Sequence, residues 1–195
     1  MILITGAGGY IGRNLNIGNA IRVDKEIEIT KINATFRGNI EGIIHLAAVS
    51  RVKHCEINPI KAINTNVTGI TSVLELACRK KAWVIFASSL EAEHKRNIYG
   101  LTKSFGEELC NYYANKYGLQ IVVVRLGDVI GKDNHPTKAI PLLKSRVIAD
   151  KTIVLKNPRQ MFHLVHIDTV NMTLQKIVNE FREAYQSKSK IIIKE

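Results

Sequence analysis

Apolar and polar positions fall into short and long blocks that alternate along the chain. Residues 1–5, MILIT, are an apolar run of strand length. Glycines follow, and residues 13–22 form a predicted first helix weakened by Gly18 and Asn19. Residues 26–32 alternate and read as the second strand. Residues 42–48, GIIHLAA, are a further apolar strand ending in small side chains. The segment 33–41 has room for a small strand but not for a full crossover helix. Over 64–80 the period becomes helical, with Val67, Ile70, Val73, Leu74 and Ala77 on one face. Residues 83–87 are apolar throughout, as a parallel strand covered on both faces requires. A helix over 99–117 is predicted to bury Phe105, Leu109 and Tyr112 or Tyr113, and to end at Gly118. Residues 119–126 follow as a strand. The remainder predicts a helix at 139–149 with Pro141 in its first turn, a strand at 152–155, a helix from Asp168 as N-cap to about residue 185, and an edge strand at 191–193.

Strands that alternate with helices predict an α/β fold with a parallel sheet. The first turn says what such a sheet could hold. Gly6, Gly8, Gly9 and Gly12 lie between a strand and a helix opened by Tyr10 and Ile11. Glycine permits a sharp turn and lets a phosphate approach bare backbone N–H groups; Gly12 lets the helix lie close on the strand. Any tight turn uses glycine, but this one follows a strand and opens a helix, which favours dinucleotide binding.

Tyr99 and Lys103 form a YxxxK pair at the start of the 99–117 helix, so phenol and ammonium share one helical face. Ser88 and Ser89 close the preceding strand. Together these motifs resemble the short-chain dehydrogenase/reductase superfamily, in its extended branch of NAD-dependent epimerases and dehydratases, over residues 1 to about 170. The resemblance implies a Rossmann-type, doubly wound parallel sheet with a small, truncated C-terminal substrate lobe. The expected division is 1–131 for the dinucleotide-binding domain and 132–195 for a lobe remnant packed on it. The implied cofactor is NAD or NADP. Its expected contacts are Gly6, Gly8, Gly9, Tyr10, Ile11, Gly12, Lys31, Leu46, Ala47, Ala48, Asn66, Ser88, Tyr99 and Lys103. Thr30 or Lys31 stands where the family's second strand ends, and a lysine there suits the extra phosphate of NADP, with Arg37 to assist. Asp24 takes the ribose-binding place if the first helix is shorter, so NAD and NADP stay open.

The implied chemistry is a redox step at a sugar carbon. Tyr99, Lys103 and Ser89 match the family's catalytic positions. Free tyrosine, with a pKa of about 10, is a poor base at neutral pH, and an adjacent Lys103 ammonium is expected to lower it. Ser89, Glu91 and Asp128 are the expected substrate contacts. Three departures stand out. Leu90 occupies the place of the dehydratases' aspartate, which argues against 4,6-dehydration. The loop from Ser89 to Tyr99 is short. Asp128 replaces an asparagine expected at the sugar diphosphate, adding repulsion towards phosphate. The leading expectation is an NAD(P)-dependent epimerase or oxidoreductase on a nucleotide sugar. A carbonyl reductase on another small substrate and a non-catalytic NAD(P)-binding regulator are the alternatives.

Composition narrows the partners. The net charge of +11 attracts polyanions, but the basic residues are scattered and not interleaved with aromatics as in single-strand binders, so no nucleic acid is expected. No apolar run reaches membrane-spanning length and no signal peptide precedes the first strand, so no membrane partner is expected. Cys55, Cys78 and Cys110 form no CxxC and read as reduced packing residues of a cytoplasmic protein. His45 reads as a core histidine, and His163 and His166 are too sparse a pair for zinc. A homodimer through helices, the Tyr99 helix among them, is what the family resemblance implies.

Overall fold

The computed structural model describes residues 1–134, 139–149 and 163–187. The strand expected at 152–155, the edge strand at 191–193 and the basic run 188–194 lie outside the described residues. Five parallel strands form the main sheet: β1 (Ile2–Thr5), β2 (Ala20–Val23), β3 (Gly42–His45), β4 (Trp83–Ser89) and β5 (Ile121–Leu126), in the order β2-β1-β3-β4-β5. Helix α1 (Tyr10–Asn14) joins β1 to β2, and α2 (Ile32–Thr35) precedes β3. Three helices, α3 (Val52–Ile57), α4 (Pro59–Ile63) and α5 (Gly69–Lys80), lie between β3 and β4; a π-helical segment, Asn64–Thr68, joins the last two. After β4 come α6 (Glu91–His94) and α7 (Ile98–Tyr117). A parallel pair, β6 (Asp128–Ile130) and β7 (Leu164–His166), lies apart from the main sheet, with α8 (Ala139–Ile148) between them in sequence and α9 (Ile167–Ser187) after them.

Both faces of the sheet are covered, which is why its strands carry so few polar residues. On one face Leu3, Ile43, Val84 and Phe86 meet the α5 stripe Ile70, Val73 and Leu74 in one apolar cluster. On the other, Ile2, Ile4, Ile44 and Ile85 join Leu174, Val178 and Phe181 of α9. There Trp83 stacks on Phe181 at 4.7 Å between ring centroids, and Gly42 leaves room for the indole: a Cβ at Gly42 would lie 2.1 Å from it. A doubly wound α/β sheet is therefore confirmed.

The second strand is not where the alternating pattern puts it. It spans Ala20–Val23, and residues 26–32 instead lead into a 3-10 turn at Ile29–Lys31 that continues as α2. The alternation of Ile27 and Ile29 is real but serves a turn packed on the core beside α5. Helix α1 stops at Asn14 because Leu15 is extended, and Asn19 takes a left-handed φ of 55° that begins the next strand. Of the expected α7 stripe, Tyr113 is buried and Leu109 packs against the core, whereas Phe105 and Tyr112 are half exposed and Gly106 and Cys110 face the core with Tyr113. Asp168 lies in the first turn of α9, one residue inside its start. His45 is buried, takes a 2.8 Å hydrogen bond with Thr5 Oγ1 and stacks on Phe86. Burial, helped by the positive charge of Lys103, lowers its pKa to about 3. It is a neutral core histidine, as its place within an apolar strand predicts.

The aromatic stack holds α9 to the sheet. Phe181→Ala should therefore destabilise the chain by about 3–5 kcal/mol, read from urea unfolding, since it opens a cavity against a rigid indole.

Candidate functional site

The strand order places a crossover boundary between β1 and β3, and open α/β sheets bind ligands at the carboxyl ends of such strands. Here those ends nearly touch. Gly6 has φ +68°, and a Cβ on it would lie 2.6 Å from the Ala47 nitrogen just past β3. Gly9 N–H donates to the Gly6 carbonyl at 3.0 Å, closing the turn. Gly12 packs on it so tightly that a Cβ would lie 2.5 Å from the Gly6 oxygen. Gly8 and Gly9 are exposed at the top of the turn. The glycines thus build a bare-backbone cradle, with Leu46, Ala47 and Ala48 beside it; Leu46 N–H donates to Thr5 at 3.1 Å. Tyr10, by contrast, sends its hydroxyl to the Lys132 carbonyl at 3.1 Å, tying α1 to the segment after β6. Ile11 packs into the core on the α9 side.

Asp24 immediately follows β2, and its carboxylate leans over Gly8, where a Cβ would lie 2.6 Å from Asp24 Oδ2. This is the acidic residue at the second strand's end, and it corrects the assignment of Lys31. Lys31 lies on the 3-10 turn, exposed, paired with Glu28 at 2.6 Å. The missed signal was Gly18-Asn19, a turn pair read as a flaw in a helix.

At the end of β4, neighbouring serines diverge, as consecutive strand residues must. Ser89 lies close enough to Tyr99 for its hydroxyl to act on the phenol, and its Oγ accepts from Glu91 N–H at 3.3 Å. Lys103 is buried, 3% exposed, with Nζ donating to the Ala87 carbonyl at 2.7 Å and lying 4.7 Å over the Phe86 ring and 6.0 Å over that of Tyr99. The three expected residues are therefore brought together. Their electrostatics differ from the expectation. Burial raises the Tyr99 pKa to about 12, with the Ser89 hydroxyl pulling the other way. Burial also lowers Lys103 to about 8. Desolvation outweighs the attraction that was to make Tyr99 a phenolate, so in this state the phenol holds its proton.

Ser88 turns the other way. Its hydroxyl donates to Glu107, so the expected side-chain contact with a cofactor gives way to a structural tie. Asn66 is buried and clamps two elements: its Oδ1 accepts from Val49 N–H at 2.8 Å, and its Nδ2 donates to the Val49 carbonyl at 3.1 Å and to Thr102 Oγ1 at 2.9 Å. Thr102 in turn donates to the Tyr99 carbonyl at 2.8 Å, so Asn66 braces the helix that carries Tyr99. Glu91 accepts from Asn97 Nδ2 at 2.7 Å, and Asn97 Oδ1 caps α7 by accepting from Gly100 N–H at 2.8 Å. A Cβ on Gly100 would lie 2.4 Å from the Glu91 carbonyl, so α6 and the start of α7 are in close contact. The Glu91 carboxylate thus reaches the site partly through the cap. Asp128 is exposed on β6, with its N–H donating to the His163 carbonyl at 2.8 Å. Among the described residues no group of three or more His, Cys, Asp or Glu is placed to hold a metal, and no helix is long and apolar enough to cross a membrane.

The family described as the NAD dependent epimerase/dehydratase family matches residues 21–188. A UDP-2-acetamido-2,6-beta-L-arabino-hexul-4-ose reductase of Pseudomonas aeruginosa is 28% identical over 187 residues, covering 91% of this chain and 49% of the reductase. A UDP-glucose 4-epimerase of Rickettsia canadensis is 31% identical over 140 residues, covering 69% of this chain and 40% of the epimerase. The chain thus spans about half the length of the curated relatives it matches. A dTDP-glucose 4,6-dehydratase of Streptomyces venezuelae, solved as a double mutant with NAD, shares the fold at TM-score 0.79 and 19% identity, over 91% of this chain and 71% of that one.

A buried lysine that is harder to charge in the folded state makes stability depend on pH. Between the folded value of about 8 and the ordinary 10.5, the unfolded chain binds the proton and the folded chain does not. Parent stability should therefore rise relative to Lys103→Met as pH increases through that window, read from urea midpoints of both proteins.

Proposed function

Since the chain belongs to the NAD dependent epimerase/dehydratase family, we propose that it carries out hydride transfer at a carbon of a nucleotide sugar, with Tyr99 as the acid/base. The observation that carries this reading is the gathering of Tyr99, Ser89 and Lys103 at the end of β4, with Lys103 Nζ held at the Ala87 carbonyl and 6.0 Å over the Tyr99 ring. The bare turn at Gly8 and Gly9 suits a pyrophosphate, and Leu46, Ala47 and Ala48 wall the space beside it. Asp24 favours NAD over NADP: its carboxylate accepts ribose hydroxyls and repels a 2′-phosphate. The guanidinium of nearby Arg22 is directed to the Gly12 and Leu15 carbonyls. When bound, the nicotinamide supplies the hydride or accepts it.

The chain's own residues handle the proton. Ser89 fixes the substrate oxygen within reach of Tyr99. A phenol pushed up to about 12 is charged with its proton and suited to deliver it as an oxygen becomes anionic. That state favours reduction of a keto-sugar as the direction entered from this structure. For removal of a proton from an alcohol, the positive charge of Lys103, 6.0 Å over the Tyr99 ring, favours the phenolate. Asp128 and Glu91 are the proposed substrate-side carboxylates, and Asn66 a brace for the site rather than a reacting group. Residues 1–131 are the proposed dinucleotide-binding unit and 132–195 the proposed substrate-lobe remnant.

A second copy of the chain is the proposed partner. Helices α3, α4 and α7 contact one another and leave Ile57, Ile60, Leu101, Phe105 and Tyr112 exposed, with Ile57 at 71% and Ile60 at 73%. Such a face of packed helices suits a symmetric contact.

Two measurements test these readings. Tyr99→Phe should keep NAD binding by calorimetry and lose turnover of UDP- and dTDP-hexoses by about 10²–10⁴-fold; parent-level turnover in the variant would sink the assignment. By light scattering after gel filtration the parent should run as a dimer and Phe105→Glu as a monomer, whereas a monomeric parent would remove the partner.

A further inference from the structure

Helix α7 carries more than Tyr99 and Lys103. One turn beyond Lys103 it presents Glu107, and two strands converge on that carboxylate. Ser88 of β4 donates its hydroxyl to Glu107 Oε1 at 2.5 Å. Arg125 of β5 grips it in a two-pronged pair: Nε lies 2.9 Å from Oε1, and Nη2 lies 2.6 Å from Oε2. The Glu107 side chain is largely buried, at 15% exposure against 47% for Arg125. Burial acts against its ionisation, but the Arg125 and Ser88 hydrogen bonds prevail and hold the carboxyl below its ordinary range. Glu107 is therefore a fixed negative charge anchored from two strands.

We propose that Glu107 is a positioning residue that acts on the site through Lys103, as an anchored carboxylate placed on the same helical face one turn away. The proposal rests on the reading of Tyr99 and Lys103 as the catalytic pair. A surface ion pair would deserve no such role, since exposed pairs contribute little. This one differs in two respects. Ser88 is buried and directly precedes Ser89, so the carboxylate also fixes the strand end that meets Tyr99. Its field reaches a desolvated ammonium, where water screens little. The groups around Lys103 are few. Tyr99, Glu107 and the Cys110 thiol come from its own helix, Cys55 from α3 and His45 from β3, and β4 contributes the Ala87 carbonyl and the Phe86 ring. Cys110 is pushed up to about 12, Cys55 is raised, and His45 is held neutral, so near neutral pH Glu107 is the anion among them.

The test is a pH titration of the whole chain labelled with ¹³Cε-lysine, followed by NMR, with Lys103→Met identifying the resonance. In the parent Lys103 should titrate near 8. In Glu107→Gln the midpoint should fall, because the charge favouring the ammonium is gone. In Arg125→Gln it should rise, because a competing cation is removed while the carboxylate stays. Opposite displacements are a signature that general loosening of the fold does not produce. A Lys103 midpoint unmoved in both variants, or moved the same way in both, would overturn the proposal. Turnover of UDP-hexoses is measured separately: a parent without it would remove the enzymatic reading, while the titration still decides what Glu107 does.

Discussion

The site depends on a divergence of two adjacent side chains at the end of β4. Ser89 meets the phenol of Tyr99, while Ser88 reaches Glu107 further along the same helix. One strand end and one helix are thus fastened together at two places, and the register between hydroxyl, phenol and ammonium follows from that. Everything around it keeps the strand end still. Phe86 fills the space below Lys103, and Gly106 lets α7 approach, since a Cβ there would lie 2.8 Å from the Phe86 ring. Asn66 braces the first turn of α7 from the far side through Thr102.

Burial does two things to this arrangement at once. It removes water from Lys103 and makes its charge costly, and it makes Tyr99 a reluctant acid. The resting site is consequently proton-loaded at the phenol, with its cation directed to a backbone carbonyl. A carboxylate fixed one turn away and a cradle of backbone N–H groups across the sheet edge are the charges that can tip that balance.

Much of this was legible in the sequence where a local rule had one outcome. MILIT followed by glycines could only be a strand and a sharp turn, and the apolar blocks at β3 and β4 were too continuous for surface strands. Helical spacing put Tyr99 and Lys103 on one face, and the family resemblance singled out Ser89 from the pair that closes β4. Elsewhere the local rule had two outcomes. Alternation at Ile27 and Ile29 fits a strand, yet these side chains pack from a turn against the core. Helix α7 has two apolar stripes, and spacing alone does not say that Phe105 faces out and Tyr113 in. Asp24 was obscured by the assumed length of α1. Spacing does not mark Glu107, because its meeting with Ser88 and Arg125 exists only once β4, β5 and α7 are assembled.

The central claim is that Tyr99 and Lys103 form one site with the glycine cradle. It is tested most directly by titrating NAD into the chain labelled with ¹³Cζ-tyrosine and following Tyr99, identified through Tyr99→Phe. The account predicts that NAD shifts the Tyr99 resonance and brings its midpoint below the value of about 12 it has alone. A Tyr99 signal and midpoint unchanged at saturating NAD, with binding confirmed by calorimetry, would contradict it.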